Sequence, residues 1–234
     1  MKRVALLFGA AAVLAWLPAG AVASWYEDFD SYTAGTVLDD VGGWYGWDDV
    51  SSVAGVVSDT QAYSAPNSIA IDGGDGDAVH PFTPITEGQW TFTAWQYVPS
   101  DLDALTYFII NNEYQHGGPH DWAIENHYDP SLGLVWDQIR DPDILNPLPL
   151  IYDQWTEIRV EIDLDTNFME QYYDGDLLSS GTWNIYAGGV IAIANVDLYA
   201  PHFVEVYYDD LSLVPEPTAG LLLLAGAVAV IRRR

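Results

Sequence analysis

The stretch Asp153-Gln154-Trp155-Thr156-Glu157-Ile158-Arg159-Val160-Glu161-Ile162-Asp163, followed by Asp165-Thr166-Asn167 and the run from Phe168 to Tyr173, decides the fold class. Thr156, Ile158, Val160 and Ile162 occupy every second position, with charged residues between them. That period lines one face of a β-strand with side chains that can be buried, whereas an amphipathic helix needs a period of about 3.6. The Asp-Thr-Asn segment turns the chain back. Asp174-Gly175 then closes the second strand with a dipeptide suited to the positive φ of a tight hairpin turn.

The same reading extends along the chain. Runs rich in Val, Ile, Thr, Tyr, Phe and Trp, separated by Gly, Pro, Asn and Asp, predict strands over 89–98, 105–111, 132–137, 155–164, 168–173, 190–196 and 203–213. No helical periodicity of useful length, internal repeat or linker interrupts residues 24–214. The expected body is one all-β domain, an antiparallel β-sandwich, flanked by an N-terminal signal helix and a short C-terminal hydrophobic helix.

Charge distribution supports this division. The 234 residues include 34 acids and 7 bases, a formal net charge of −27, and no cysteine. Residues 24–214 hold 33 of the acids and only two bases, Arg140 and Arg159. A nucleic-acid binder needs clustered Lys and Arg to neutralise phosphates, so that class is excluded. With 14% aromatic and 50% hydrophobic residues, the chain has the apolar material that an acidic disordered chain lacks. Disulfide scaffolds and thiol chemistry are excluded outright.

Both ends read as addressing segments. Lys2 and Arg3 precede the apolar run Val4 to Leu17, and the small residues Ala21 and Ala23 stand before Ser24, the arrangement of a secretory signal peptide over 1–23 cut at Ser24. At the other end, Pro215-Glu216-Pro217 is followed by fourteen uncharged residues, 218–231, and then by Arg232, Arg233 and Arg234. Terminal arginines favour the cytoplasmic side, which leaves the body outside. This tripartite segment over 215–234 resembles the PEP-CTERM sorting signal of Gram-negative bacteria. The resemblance implies processing near Pro215-Glu216-Pro217 by an exosortase-type membrane enzyme, transient anchoring, and delivery to the cell surface or its extracellular polysaccharide.

The body itself resembles the laminin G-like or concanavalin A-like jelly rolls of secreted proteins. The likeness rests on Trp25-Tyr26-Glu27-Asp28-Phe29-Asp30, on Tyr63 to Ile69, on the hairpin quoted first, and on Tyr207-Tyr208-Asp209-Asp210-Leu211-Ser212-Leu213. Glu27 alternates with Trp25 and Phe29, and Asp209 with Leu211 and Leu213. If the first and last strands pair, these two carboxylates meet near the core and call for a cation or a proton. Many carbohydrate-binding jelly rolls resemble this in holding a structural Ca²⁺ between their terminal strands. That implies Ca²⁺ at Glu27 and Asp209, with Asp28 or Asp210 as substitutes in a slipped register.

Four further clusters bear on chemistry. Glu161, Asp163 and Asp165 share strand parity, as the carboxylates of family 16 glycoside hydrolases do on this fold. The third is an Asp already inside a turn, however, and acids on a solvated hairpin edge explain the run equally well. Asp72-Gly73-Gly74-Asp75-Gly76-Asp77 is a Gly-relieved acidic loop that can wrap a hard cation or simply link two strands. His116, His120 and His127 lie near Asp121 and Glu125 with no compact zinc spacing, and Gly117-Gly118-Pro119 favours a loop there. Trp44, Trp47, Trp122 and Trp136 are candidates to stack on sugar rings, against the alternative of core packing. No catalytic residue is assigned. The expected function is a non-enzymatic, structural, adhesive or carbohydrate-binding surface protein, with a glycan-active hydrolase or lyase on the same fold as the alternative.

Overall fold

The computed structural model describes residues 24–71, 74–201 and 204–216. The signal segment, both expected flanking helices, and Pro217 with Arg232, Arg233 and Arg234 of the sorting segment lie outside the described residues. Pro215 ends the last strand, and the Glu216 N–H donates to the Gln89 carbonyl.

The body is all-β. Its strands are β1 (Trp25–Glu27), β2 (Tyr45–Gly46), β3 (Val56–Ser58), β4 (Ser68–Ile71), β5 (Gly76–Ile85), β6 (Gln89–Tyr97), β7 (Thr106–Tyr114) and β8 (His120–Asp129). They continue with β9 (Leu134–Asp137), β10 (Leu148–Pro149), β11 (Trp155–Asp163), β12 (Phe168–Tyr173), β13 (Asp176–Thr182), β14 (Ile193–Ala200) and β15 (Val206–Pro215). Among the described residues the helical segments are two short 3₁₀ turns, Trp47–Asp49 and Ser51–Val53. All the strand pairs are antiparallel. An eight-stranded sheet runs β13-β12-β11-β6-β15-β4-β3 with β1 also on β15, and a seven-stranded sheet runs β10-β9-β8-β7-β14-β5-β2.

The hairpin that decides the fold class forms as its alternation requires. Ile158, Val160 and Ile162 are in the core, and β11 pairs with β12 from Ile158↔Tyr173 to Asp163↔Phe168. Asp174 and Gly175 both have positive φ, 51° and 81°, the geometry of a two-residue turn whose twist matches its strands. The inner faces of the two sheets interlock through Phe92 and Ile69 from one side and Phe108, Ile124, Val196 and Leu198 from the other.

Two expectations change. The segment after Gly117-Gly118-Pro119 is strand β8, not loop, because long-range pairing with β7 satisfies its backbone. Gly76 and Asp77, read as part of an acidic loop, begin β5 and pair with Ala200 and Tyr199.

Candidate functional site

The outer face of the seven-stranded sheet follows from parity. In β14, Val196, Leu198 and Ala200 belong to the core, so Asn195, Asp197 and Tyr199 face outward. The register then builds rows across the strands. Asp77, Tyr199, Tyr107, His127 and Trp136 are successive partners on β5, β14, β7, β8 and β9. Their rings touch along the row: Tyr199 lies 5.1 Å from Tyr107, Tyr107 4.8 Å from His127, and His127 5.1 Å from Trp136. A neighbouring row runs from Asp197 through Ile109 to Glu125, and Glu125 Oε1 is 2.7 Å from His127 Nε2. A third joins Asn195, Asn111 and Trp122.

Loops rim this face at both ends. The 3₁₀ turn carrying Trp47 packs on Tyr114 at 4.7 Å and on His120 at 5.3 Å, and His120 meets Trp122 edge-on at 4.7 Å. The Asp48 N–H donates to the Tyr114 hydroxyl, and the Gly117 N–H donates to Asp48 Oδ1, which ties the two loops together. On the far side, Asn112 Nδ2 donates to the Val190 carbonyl and Trp183 Nε1 to the Ala192 carbonyl, fixing a loop that exposes Ile185, Tyr186, Val190 and Ile191.

The floor is polar and buried. Asn111, Asn195 and Asp197 are almost fully covered, although their side chains point away from the apolar core. Asn195 Oδ1 accepts the Asn111 N–H, yet Asn111 Oδ1 and Asn195 Nδ2 have no hydrogen-bond partner, while the Asp77 and Asp197 carboxyls hydrogen-bond to each other. Burial pushes the Asp77 carboxyl up to about 6 and Asp197 well above the carboxylate range, where the neighbouring Asp77 raises it further. Burial also takes the Tyr114 phenol up to about 12.

The tryptophans divide. Trp47 and Trp122, far apart in sequence, meet around His120 on the rim. Trp44 is withdrawn as a ligand contact, because it is fully buried against Trp25, Phe29 and His80. Trp136 lies on the outer face but is 95% covered, and its Nε1 donates to Gln138 Oε1, so it supports His127 without offering a free ring face. The sequence reading places Asp77 in an acidic, cation-wrapping loop and does not single out Tyr107, Asn111, Tyr114, Asn195, Asp197 and Tyr199. The signal that could have found the last three is the alternation Asn195, Asp197, Tyr199 within an apolar strand that the sequence reading ends at 196.

Strands β1 and β15 do pair, with Glu27 opposite Leu211. A bulge between Asp209 and Ser212 changes the parity, so Asp209 stands beside Trp95 on the outer side while Leu211 and Leu213 are in the core. Glu27 and Asp209 thus face opposite sides of the sheet, and the expected meeting of the two carboxylates does not occur. Each is served separately. Glu27 accepts the Phe29 N–H and the Tyr32 hydroxyl, and Asp209 accepts the N–H groups of Tyr63, Ser64 and Asp210. Asp210 accepts the Tyr26 and Ser64 hydroxyls.

Glu161, Asp163 and Asp165 lie at the end of the other sheet, where Glu161 and Asp163 border a shallow recess of about 380 Å³. Glu161 is paired with Arg159, Asp165 accepts the Gly88 N–H, and Asp163 accepts Gln89 Nε2 and the Thr166 N–H. The Gln89 hydrogen bond holds Asp163 below the usual carboxylate range, the opposite of what a proton donor needs. These acids order a hairpin turn.

No family model matches the chain, and no curated protein matches its sequence. Solved structures share its architecture. The Trypanosoma cruzi calreticulin globular domain superposes with a TM-score of 0.57 at 12% identity, covering 89% of this chain and 94% of that one. An endo-β-1,4-glucuronan lyase from the fungus Trichoderma reesei gives 0.51 at 11%, covering 82% and 95%. An alginate lyase in complex with an alginate trisaccharide gives 0.50 at 12%, covering 83% and 98%. At such identities the likeness is one of fold.

Proposed function

We propose that the protein is a non-enzymatic, carbohydrate-binding surface protein, exported through its signal segment and sorted through its PEP-CTERM-like tail, with extracellular polysaccharide as its partner. The observation that carries the reading is the outer face of the seven-stranded sheet. Half-buried Trp47 and Trp122 stand above a floor where Asn111 Oδ1 and Asn195 Nδ2 are buried without a hydrogen-bond partner. Flat rings present apolar area to a pyranose, and a few fixed polar groups orient its hydroxyls. Support by analogy comes from two of the superposed proteins, which are lyases acting on polysaccharides.

The test is a polysaccharide panel against the purified mature protein, with Trp122→Ala as the control. Binding that survives this substitution at full strength, or no binding across the panel, refutes the reading. Sorting is tested by the mass and location of the mature chain in a host with and without the processing enzyme. An unchanged C-terminus in both refutes that half.

One observation favours a second reading. His127, hydrogen-bonded to Glu125 and in ring contact with Tyr107, is a ready acid–base pair on the same face, as polysaccharide lyase chemistry would require. Ultraviolet absorbance of unsaturated products from uronate polymers, lost in His127→Ala, would establish it.

A further inference from the structure

Beside Trp122 the outer face of the seven-stranded sheet is bounded by the 183–192 loop. Tyr186 of that loop is 37% exposed, and its hydroxyl meets the Trp122 backbone N–H. Two carboxylates reach the same spot. Burial, and then the charges of Asp121 and Glu125, raise the Tyr186 phenol. Glu125, three residues along β8 from Trp122, gives Oε1 to His127 and keeps 28% of its side chain exposed. Among the described residues no Lys or Arg answers these acids. Arg140 is engaged by Asp137 and the carbonyls of Ala123, Thr182 and Trp183, and Arg159 lies on the other sheet with Glu161.

A second observation comes from the row that ends at Trp122. Asn111, its direct partner on β7, is 0% exposed. Its Nδ2 donates to the Asp121 carbonyl, and its Oδ1 has no donor. A buried acceptor without a donor at the foot of an aromatic ring calls for an O–H or N–H from a ligand. The charges then select among glycans. A uronate or sulfate polymer would bring its own anions against Asp121 and Glu125 with no base to pair them. A protonated amine meets the reverse, because a carboxylate gives it a charge-assisted hydrogen bond and aromatic faces attract a cation.

Resting on the carbohydrate-binding reading above, we propose that the ligand is an amine-bearing polysaccharide, with one pyranose ring stacked on Trp122 and its ammonium group facing Glu125 beside Tyr186. Asn111 Oδ1 accepts from a hydroxyl of the same sugar, and Asp121 adds to the negative field. The selectivity that follows is for a free amino sugar over its uncharged N-acetylated counterpart, and for either over a uronate.

The experiment is calorimetric titration of the purified mature protein with three oligosaccharides of equal length: a glucosamine oligomer, its fully N-acetylated counterpart and an oligouronate. It is run at about pH 6, where amines are protonated, in about 20 mM and about 300 mM salt. Wild type should bind the glucosamine oligomer about ten-fold more tightly than the acetylated one at low salt, lose most of that preference at high salt, and leave the oligouronate unbound. Trp122→Ala should weaken binding of both amino-sugar oligomers, and Glu125→Gln should bring the two within about two-fold of each other. Asp176→Asn, which removes an exposed acid on β13 of the other sheet, should change neither. Should Glu125→Gln fail to fold, Asp121→Asn decides by a smaller loss of the same preference. Equal binding of the two amino-sugar oligomers, binding of the oligouronate, or a preference that survives Glu125→Gln or is lost equally in Asp176→Asn overturns the amine assignment while Trp122-dependent carbohydrate binding stands. No binding of any oligomer, or binding indifferent to Trp122→Ala, refutes the carbohydrate reading itself and the proposal with it.

Discussion

The Asp209 carboxylate accepts the Tyr63 backbone N–H at 2.8 Å. With the Ser64 N–H on the same oxygen, this bond carries the 59–67 loop onto the outer side of the eight-stranded sheet, where the Tyr63 ring stacks on Trp95 at 3.9 Å and 10°. Asp209 is fully buried beneath that loop. Asp209→Ala strands three N–H donors, those of Tyr63, Ser64 and Asp210, and releases the stack, so it should cost about 2–4 kcal/mol in urea unfolding and change Trp95 emission. Equal stability of the variant and the parent would remove Asp209 as the anchor.

Stability should fall as pH rises through the neutral range. Burial raises Asp209 to about 7 and Asp77 to about 6, and it raises Glu27 and Asp197 as well. A carboxyl with a folded pKa above its unfolded one makes the native state bind more protons. Its stabilisation is complete below about pH 4 and is lost as pH rises through the folded value. His80, buried among Trp25, Trp44 and Phe82, is lowered to about 4 and has the opposite sign, losing its contribution as pH falls from about 6.5. Four acids outweigh one histidine, so in chelator the melting temperature should be higher at about pH 5 than at about pH 8. A flat or inverted profile would contradict the burial of these groups.

Arg140 and Arg159 should behave differently despite being the only bases of the body. The Arg140 guanidinium lies 3.0 Å from Asp137, whose side chain is 0% exposed and which also accepts the Ser179 hydroxyl. That network clips β9 of one sheet to β13 of the other. Arg140→Ala leaves a buried charge unpaired and should cost about 3–5 kcal/mol. Arg159 sits on the surface over Tyr172 and beside Glu161, so Arg159→Ala should cost less than about 1 kcal/mol. Chemical denaturation of the two variants side by side checks the contrast.

Tryptophan substitutions separate packing from binding. Trp44→Ala removes a fully buried ring and should cost about 3–5 kcal/mol. Trp122→Ala and Trp47→Ala should leave the melting temperature within a few degrees and weaken polysaccharide binding about ten-fold. The reverse pattern would place the binding surface elsewhere.

Local alternation was enough to read β6, β11 and β12 close to their ends, and the Asp174-Gly175 turn with them. It failed where pairing overrides composition. No strand is predicted over residues 76–85, which include Pro81 and Pro84, yet they form a strand paired with β14. The Gly-Gly-Pro turn masked β8 in the same way. Asp77, named from sequence within an acidic loop, stands instead on strand β5 beside Asp197, a neighbour that composition alone does not supply.

The sequence by itself determined a β-sandwich body, its acidity and its lack of thiol chemistry, because each depends on residue type or on a period of two within one segment. Only the tertiary structure decided which acids meet. A strand's alternation tells which side chains share a face but not which strand lies next to it. Pairing over more than a hundred residues put Asp77 beside Asp197, and one bulged residue in β15 turned Asp209 away from Glu27.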